Sequence, residues 1–235
     1  MQRIGVLGGI SPQATMDFEL QVHRVCQRLV PQEWNRGYPR MVVWYHRELP
    51  IQVDGDGRPI VPRQLDPGLL EGAAWLGKAA DFLVIPCNSA HIGVSQIEAA
   101  AGRPVLSMID VTLDEVARRA WRSVGVLGFG GAPAVYVDPL SGKGIRCVTL
   151  DGARQEHVDN AIRAVMEGRD GVAEHAAALA AVDTVRAQGV DGVVLGCTEI
   201  PLLLGQKAEA GDLINPAALL AQSAVKHALS RATSR

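Results

Sequence analysis

Short runs of β-branched and aliphatic residues alternate along this chain with longer stretches of helical period. Residues 3–7, 41–45, 82–85, 105–108, 123–127, 145–150 and 192–195 are the strand candidates. Such alternation predicts an α/β protein with mainly parallel sheets. After the first run, Ser11 caps a helix with Pro12 at its first position, and Phe18, Val22, Val25 and Leu29 fall on one face that packs on the sheet. Two later helices span 155–167, ended near Gly168, and 172–188, ended by Gly189. A last helix starts after Asn215-Pro216 and runs to about Leu229. The stretch 50–67 carries Pro50, Pro59, Pro62, Gly55 and Gly57 among polar residues and reads as a long loop.

An internal echo organises these elements. Gly5-Val6-Leu7-Gly8 recurs as Gly125-Val126-Leu127-Gly128, and Leu83-Val84-Ile85-Pro86-Cys87-Asn88 recurs in character as Val193-Val194-Leu195-Gly196-Cys197-Thr198. The first glycine and the cysteine lie 82 residues apart in one half and 72 in the other. Two divergent copies of one Rossmann-like lobe are expected, related by a pseudo-twofold. Lobe 1 is residues 1–104, with a C-terminal helical segment 210–235 packing back on it, and lobe 2 is residues 105–209. Ligands of open α/β sheets bind beyond the carboxyl ends of the strands, where both cysteines fall. Lobes that face each other would then oppose Cys87 and Cys197 across a cleft.

Composition narrows the partners. The 235 residues are 48% apolar and 20% charged, enough for a core of one large domain or two lobes, and the formal net charge is −2. With no basic block, nothing favours nucleic acid or an anionic membrane. The N-terminal apolar run is too short for a signal sequence, and no segment is long enough to span a bilayer. Four cysteines without secretory features read as thiols of a cytoplasmic protein.

A thiol between a strand and a helix can see helix N-terminal amides, which favour the thiolate, and a thiolate can serve as a base. Inverting a stereocentre needs a proton removed from one face and another delivered to the opposite face, which one thiolate and one thiol supply. The carbanion formed must be stabilised, each ~1.4 kcal/mol giving roughly a factor of ten in rate. The donors expected near its carboxylate are backbone amides around Gly8, Gly9 and Ser11 and around Asn88 and Ser89, with the side chains of Asn88, Ser89 and Thr198. His91 and Glu199 give each cysteine a titratable neighbour, as a setter of thiol protonation or as a structural group. Cys26 and Cys147 have no motif around them and read as small core residues.

Pro86-Cys87-Asn88-Ser89-Ala90-His91 together with Leu195-Gly196-Cys197-Thr198-Glu199-Ile200-Pro201-Leu202-Leu203 resembles the paired signature of the aspartate/glutamate/hydantoin racemase superfamily, in its aspartate racemase branch. Gly8-Gly9-Ile10-Ser11-Pro12-Gln13-Ala14-Thr15 resembles the N-terminal motif of that branch, and Ile214-Asn215-Pro216 its closing segment. The resemblance implies racemisation of a small carboxylate or amino-acid substrate by two cysteines, without a cofactor, in a two-lobed homodimeric protein. Three departures bear on substrate. Ser89 stands where Thr is frequent, Gly131 is followed by Ala132 rather than Thr, and Val165-Met166-Glu167-Gly168 lacks the lysine common before that glycine. A distal carboxylate would then rely on Arg47, Arg58 or Arg63, with Arg47 favoured. Competing readings are a zinc site built on Cys87, His91 and Cys197 or Glu199, a non-catalytic two-lobed binding protein, and a hydantoin or maleate type isomerase of the same superfamily. Arylmalonate decarboxylation would need only one of the two cysteines. The glycine turns match neither a dinucleotide fingerprint nor a Walker loop.

Overall fold

The computed structural model describes residues 1–55, 60–131 and 133–230. The first half runs β1 (Ile4–Gly8), α1 (Pro12–Leu29), β2 (Met41–Tyr45), α2 (Pro67–Ala79), β3 (Phe82–Val84), a 3-10 turn (Ser89–Gly93), α3 (Val94–Ala101) and β4 (Val105–Leu106). The second half runs α4 (Met108–Arg118), β5 (Ser123–Leu127), α5 (Ala134–Gly142), β6 (Arg146–Val148), α6 (Gly152–Met166), α7 (Val172–Arg186), β7 (Gly192–Leu195) and α8 (Ile200–Leu204). A 3-10 turn (Gly205–Glu209), β8 (Leu213–Ile214) and α9 (Pro216–Ser230) complete it. Met1–Met108, with α9 from Leu220 onward, forms one compact unit, and Ile109–Leu219 forms the other.

Each unit holds one four-stranded, wholly parallel sheet, and the two repeat one strand order: β2-β1-β3-β4 and β6-β5-β7-β8. The central strands β1, β3 and β7 are buried at every position, and β5 at all but Ser123, as the unbroken aliphatic runs require. Edge strand β2 is only half-buried. The echo is also a structural register, because Gly5 pairs with Leu83 and Gly125 with Val193. These two glycines serve the same purpose. A Cβ at Gly5 would stand 2.8 Å from the Ala80 Cβ, and one at Gly125 2.8 Å from the Val185 Cγ2, so each lets a helix lie close on the sheet.

Several elements differ from the sequence reading. The strand expected at 105–108 stops at Leu106, and Met108 already opens α4. β4 pairs with β3, Leu83 against Val105, so it belongs with the first sheet rather than opening the second lobe. Residues 213–214, expected within the returning helical segment, form β8 against β7. Leu29 is 46% exposed, while Phe18, Val22 and Val25 are buried, so the buried face of α1 ends one turn earlier. α2 is unannounced in the sequence because it is rich in glycine. Its Gly72 and Gly77 lie against the Trp44 indole and the Ala101 carbonyl, where a Cβ would clash.

The stretch read as a long loop is closed at its base by an Ile51–Leu65 antiparallel bridge and by Asp66 N–H donating to the Pro50 carbonyl. Leu65 is buried and fills the space beside Gly93, just after the Cys87 turn. Arg58 and Pro59, like Gly57 and Ala132, lie outside the described residues.

Candidate active site

The carboxyl edge of the first sheet is made by the ends of β1, β2 and β3. Gly8 is the last residue of β1, and a Cβ there would meet the Thr15 side chain at 2.6 Å. Gly9 follows at φ +74, with Tyr45 Cα and His46 N only 2.3 and 2.6 Å from where a Cβ would be. The Gly9 N–H donates to Thr15 Oγ1 at 2.8 Å, and that hydroxyl donates to the Ser11 carbonyl at 2.9 Å. The Gly9 amide, expected as a substrate donor, is thus committed to holding the turn. Ser11 is the N-cap of α1, its hydroxyl accepting from Ala14 N–H, with Pro12 in the first turn as the sequence predicts.

Arg47 leaves the end of β2 in a left-handed conformation, φ +66, its N–H donating to the Gly9 carbonyl at 3.1 Å. Its guanidinium lies 4.5 Å from the centroid of the Tyr45 ring, and the Tyr45 hydroxyl donates to Glu19 Oε1. Burial, reinforced by Glu19, pushes the Tyr45 phenol pKa up. Arg47 is exposed and beside the Gly9 turn, whereas Arg63 is exposed in the 60–66 stretch.

Cys87 follows β3 and is half-buried, its Sγ 3.3 Å from Ser89 Oγ. Asn88 is buried and starts the 3-10 turn, its carbonyl accepting from His91 N–H. His91 is also buried. Its Nε2 accepts from Met108 N–H at 3.1 Å, so Nδ1 carries the ring hydrogen and donates to the Cys87 carbonyl at 2.8 Å. Both ring nitrogens are used in tying the Cys87 main chain to the start of α4. Of the two roles open to His91, this is the structural one. His91→Phe keeps a ring but removes both of these hydrogen bonds. It is expected to cost about 3 kcal/mol, read as a fall in thermal midpoint of roughly 6–12 °C.

In the second unit Cys197 comes two residues after β7, as Cys87 comes three after β3, and each lies four beyond the paired residue Val193 or Leu83. Cys197 is buried within the apolar cluster of Leu127, Ile162, Val165, Leu195 and Ile200. Its Sγ donates to Glu199 Oε2 at 2.9 Å, and Thr198 Oγ1 donates to the same oxygen at 3.2 Å. Glu199 is 1% exposed, and its Oε1 is buried without a hydrogen-bond partner. The strand-end turn of β5 carries Phe129, with Arg163 over its ring, and Gly130, whose N–H donates to Asp159.

None of the four cysteines is in a disulfide. Burial raises the pKa of Cys26, which is fully enclosed, and Cys147 is half-buried, near the Val137 and Ile145 carbonyls. Among the described residues no group of three or more His, Cys, Asp or Glu is placed to hold a metal ion. Among them, too, no helix is long and apolar enough to cross a membrane. The sequence did not point to Thr15 and Met108 as partners of Gly9 and His91; the first stands in the quoted N-terminal motif, and the second acts through a backbone N–H that no motif records.

Comparison with known proteins agrees with this architecture. The chain is 29% identical over 226 residues to the broad specificity amino-acid racemase RacX of Bacillus subtilis, covering 94% of this chain and 96% of that one. It superposes on the aspartate racemase of Picrophilus torridus with a TM-score of 0.77 at 22% identity, covering 97% of this chain and 94% of that one. On the glutamate racemase of Francisella tularensis the TM-score is 0.63 at 17% identity, covering 100% and 84%. Both structural likenesses speak to the fold, that of two-lobed racemases. The profile of Asp/Glu/Hydantoin racemases matches residues 7–224, so this chain belongs to the Asp/Glu/Hydantoin racemase family, a family of isomerases.

Proposed function

We propose that this protein racemises an amino acid without a cofactor, Cys87 and Cys197 exchanging protons with the substrate α-carbon. The observation that carries the reading is the shared register: each unit places one cysteine four residues past equivalent paired positions, at the carboxyl edge of an equivalent sheet. In the reaction one cysteine, as thiolate, takes the α-proton, the electron pair spreads into the substrate carboxylate, and the other cysteine delivers its S–H proton to the opposite face. Asn88 and Ser89 follow Cys87 in the chain and Thr198 follows Cys197; these side chains are the donors proposed for the substrate, together with the Gly8 and Ser11 segment. The likeness to RacX, named a broad specificity amino-acid racemase, supports an amino acid rather than a hydantoin or maleate as the substrate of this chain.

Aspartate is the first substrate to test, with Arg47 as the cation for its distal carboxylate. The guanidinium is stacked on Tyr45 and exposed, so it can turn toward a ligand. We also propose that the protein acts as a cytoplasmic homodimer. The test is a panel of enantiopure amino acids incubated with the protein in deuterium oxide. Deuterium entering the α-position with loss of optical purity is the expected result for at least one of them; no exchange on any amino acid overturns the reading.

A further inference from the structure

We propose that the open edge of β2 is the face through which two copies of this chain pair, strand to strand, about a twofold axis at Val43. The inference rests on the homodimer proposed above and names its interface. Backbone periodicity identifies the open groups. The Arg40 carbonyl accepts from Ile4 N–H, and His46 N–H donates to the Gly8 carbonyl. Bonding residues alternate along a parallel pair, so Arg40, Val42, Trp44 and His46 turn their peptide groups toward β1, and Met41, Val43 and Tyr45 turn theirs outward. Among the described residues none of those outward N–H and carbonyl groups has a hydrogen-bond partner. The other sheet edges are protected. β4 and β8 are two residues long, and β6 is three residues long and opens on the exposed Arg146. β2 has five residues, Met-Val-Val-Trp-Tyr, with no charge and no proline. Such an edge is a template for another strand, and proteins that do not use one blunt it. β2 and β6 hold the same place in the repeated strand order, and only β2 is left open.

The flanks of the edge favour a second copy over an extended peptide. Tyr45 faces α1, where its hydroxyl meets Glu19, and Met16, one turn earlier on that helix, is 55% exposed, with Leu20 exposed one turn after Met16. Trp44 faces α2 and lies against Gly72, and Trp75, one turn on, is 54% exposed. Val42, on the same side of the strand as Trp44, is exposed as well. An added strand alone covers the peptide groups and leaves both helix flanks in water. A second copy of this unit brings a helix on each side of its own sheet. A stable interface takes roughly 800 Å² from each partner, more than a five-residue edge supplies without those flanks. In an antiparallel pair about Val43, Val43 opposes its own copy and Met41 opposes Tyr45, so each outward N–H meets an outward carbonyl. The axis is normal to the sheet, which sets α1 beside its copy and α2 beside its copy. The two four-stranded sheets become one. The paired strand ends at Tyr45, on whose ring the Arg47 guanidinium lies, so the interface stops beside the candidate site.

The test combines sedimentation with amide hydrogen exchange, read residue by residue by NMR, on the full chain. The wild-type protein is expected to sediment as a dimer with the Met41, Val43 and Tyr45 amides protected. Val43→Pro removes the outward N–H on the axis and leaves the ladder to β1 intact, as proline on the open side of an edge strand allows. Val42→Lys places a charge on the exposed edge. Each is expected to raise the dimer dissociation constant roughly a hundredfold, with the circular dichroism of the folded chain retained and the Met41 and Tyr45 amides exchanging faster. The exchange measurement on the wild-type protein needs no variant, so it decides the interface even where a substitution unfolds the chain. A dimer whose Met41, Val43 and Tyr45 amides exchange freely, or one whose dissociation constant is unchanged by both substitutions, overturns the β2 interface and leaves the homodimer standing. A wild-type chain that sediments as a monomer at every concentration overturns the homodimer itself.

Discussion

Cys87→Ser and Cys197→Ser are each expected to lower racemisation by roughly 10²–10⁴-fold, measured as loss of optical purity in deuterium oxide on the amino acid that exchanges best in the wild-type protein. A serine hydroxyl occupies nearly the same place as the thiol but is a far weaker acid, so in the proposed two-thiol mechanism one of the two protons has no carrier. The effect should fall on kcat more than on KM, since the side chains that flank the substrate stay in place. Cys26→Ser and Cys147→Ser are the internal controls. Cys26 is fully buried in α1 and Cys147 is half-buried on β6, so neither is placed for proton transfer. Their activity should remain within about twofold, although Cys26→Ser encloses a hydroxyl and should lower the thermal midpoint. Full activity in either strand-end variant would leave a single-base or binding role for that cysteine.

Gly9→Ala carries the largest expected effect on the scaffold around the site. The residue is at φ +74, where an alanine is strained, and its Cβ would be 2.3 Å from backbone of the neighbouring strand. A backbone neighbour cannot rotate away, so β2 must move off the end of β1, breaking the bonds from His46 N–H to the Gly8 carbonyl and from Arg47 N–H to the Gly9 carbonyl. We expect a loss of about 3 kcal/mol or more, seen in urea unfolding, together with a large fall in exchange activity. Gly130→Ala separates the two causes. Gly130 has nearly the same conformation, φ +68, but nothing stands within 4 Å of its added Cβ. Its cost should be the conformational part alone, on the order of 1 kcal/mol. Equal losses in the two variants would mean that the contact with β2 contributes nothing.

The sheets were legible because buried parallel strands tolerate little besides aliphatic side chains. β2, β5 and β7 appear in the sequence at the bounds the structure gives them, and β1 and β3 within a residue. β8 was missed, being two residues long, and α2 was missed because Gly68, Gly72 and Gly77 are poor helix formers. Those glycines are kept by close packing on Trp44 and on α3, which a one-dimensional pattern does not record. The same limit applied at the site: the two cysteines stood out through the repeat, while the roles of their neighbours did not.

His91 and Glu199 show where that limit lies. In sequence each is simply a titratable residue near a cysteine, and the spacings of four and two do not rank them. The fold gives His91 a backbone donor seventeen positions away, at the junction of β4 and α4, and so turns it into a strut. It encloses Glu199 with the Cys197 thiol on one oxygen and nothing on the other. By itself the sequence determined the duplicated strands and the cysteine at the end of each, because apolar burial and a repeated motif are written in residue types. Which neighbour braces the main chain and which lies against the thiol was decided only by tertiary structure, because a hydrogen bond depends on backbone groups that every residue carries and on the exclusion of water by side chains distant in the chain.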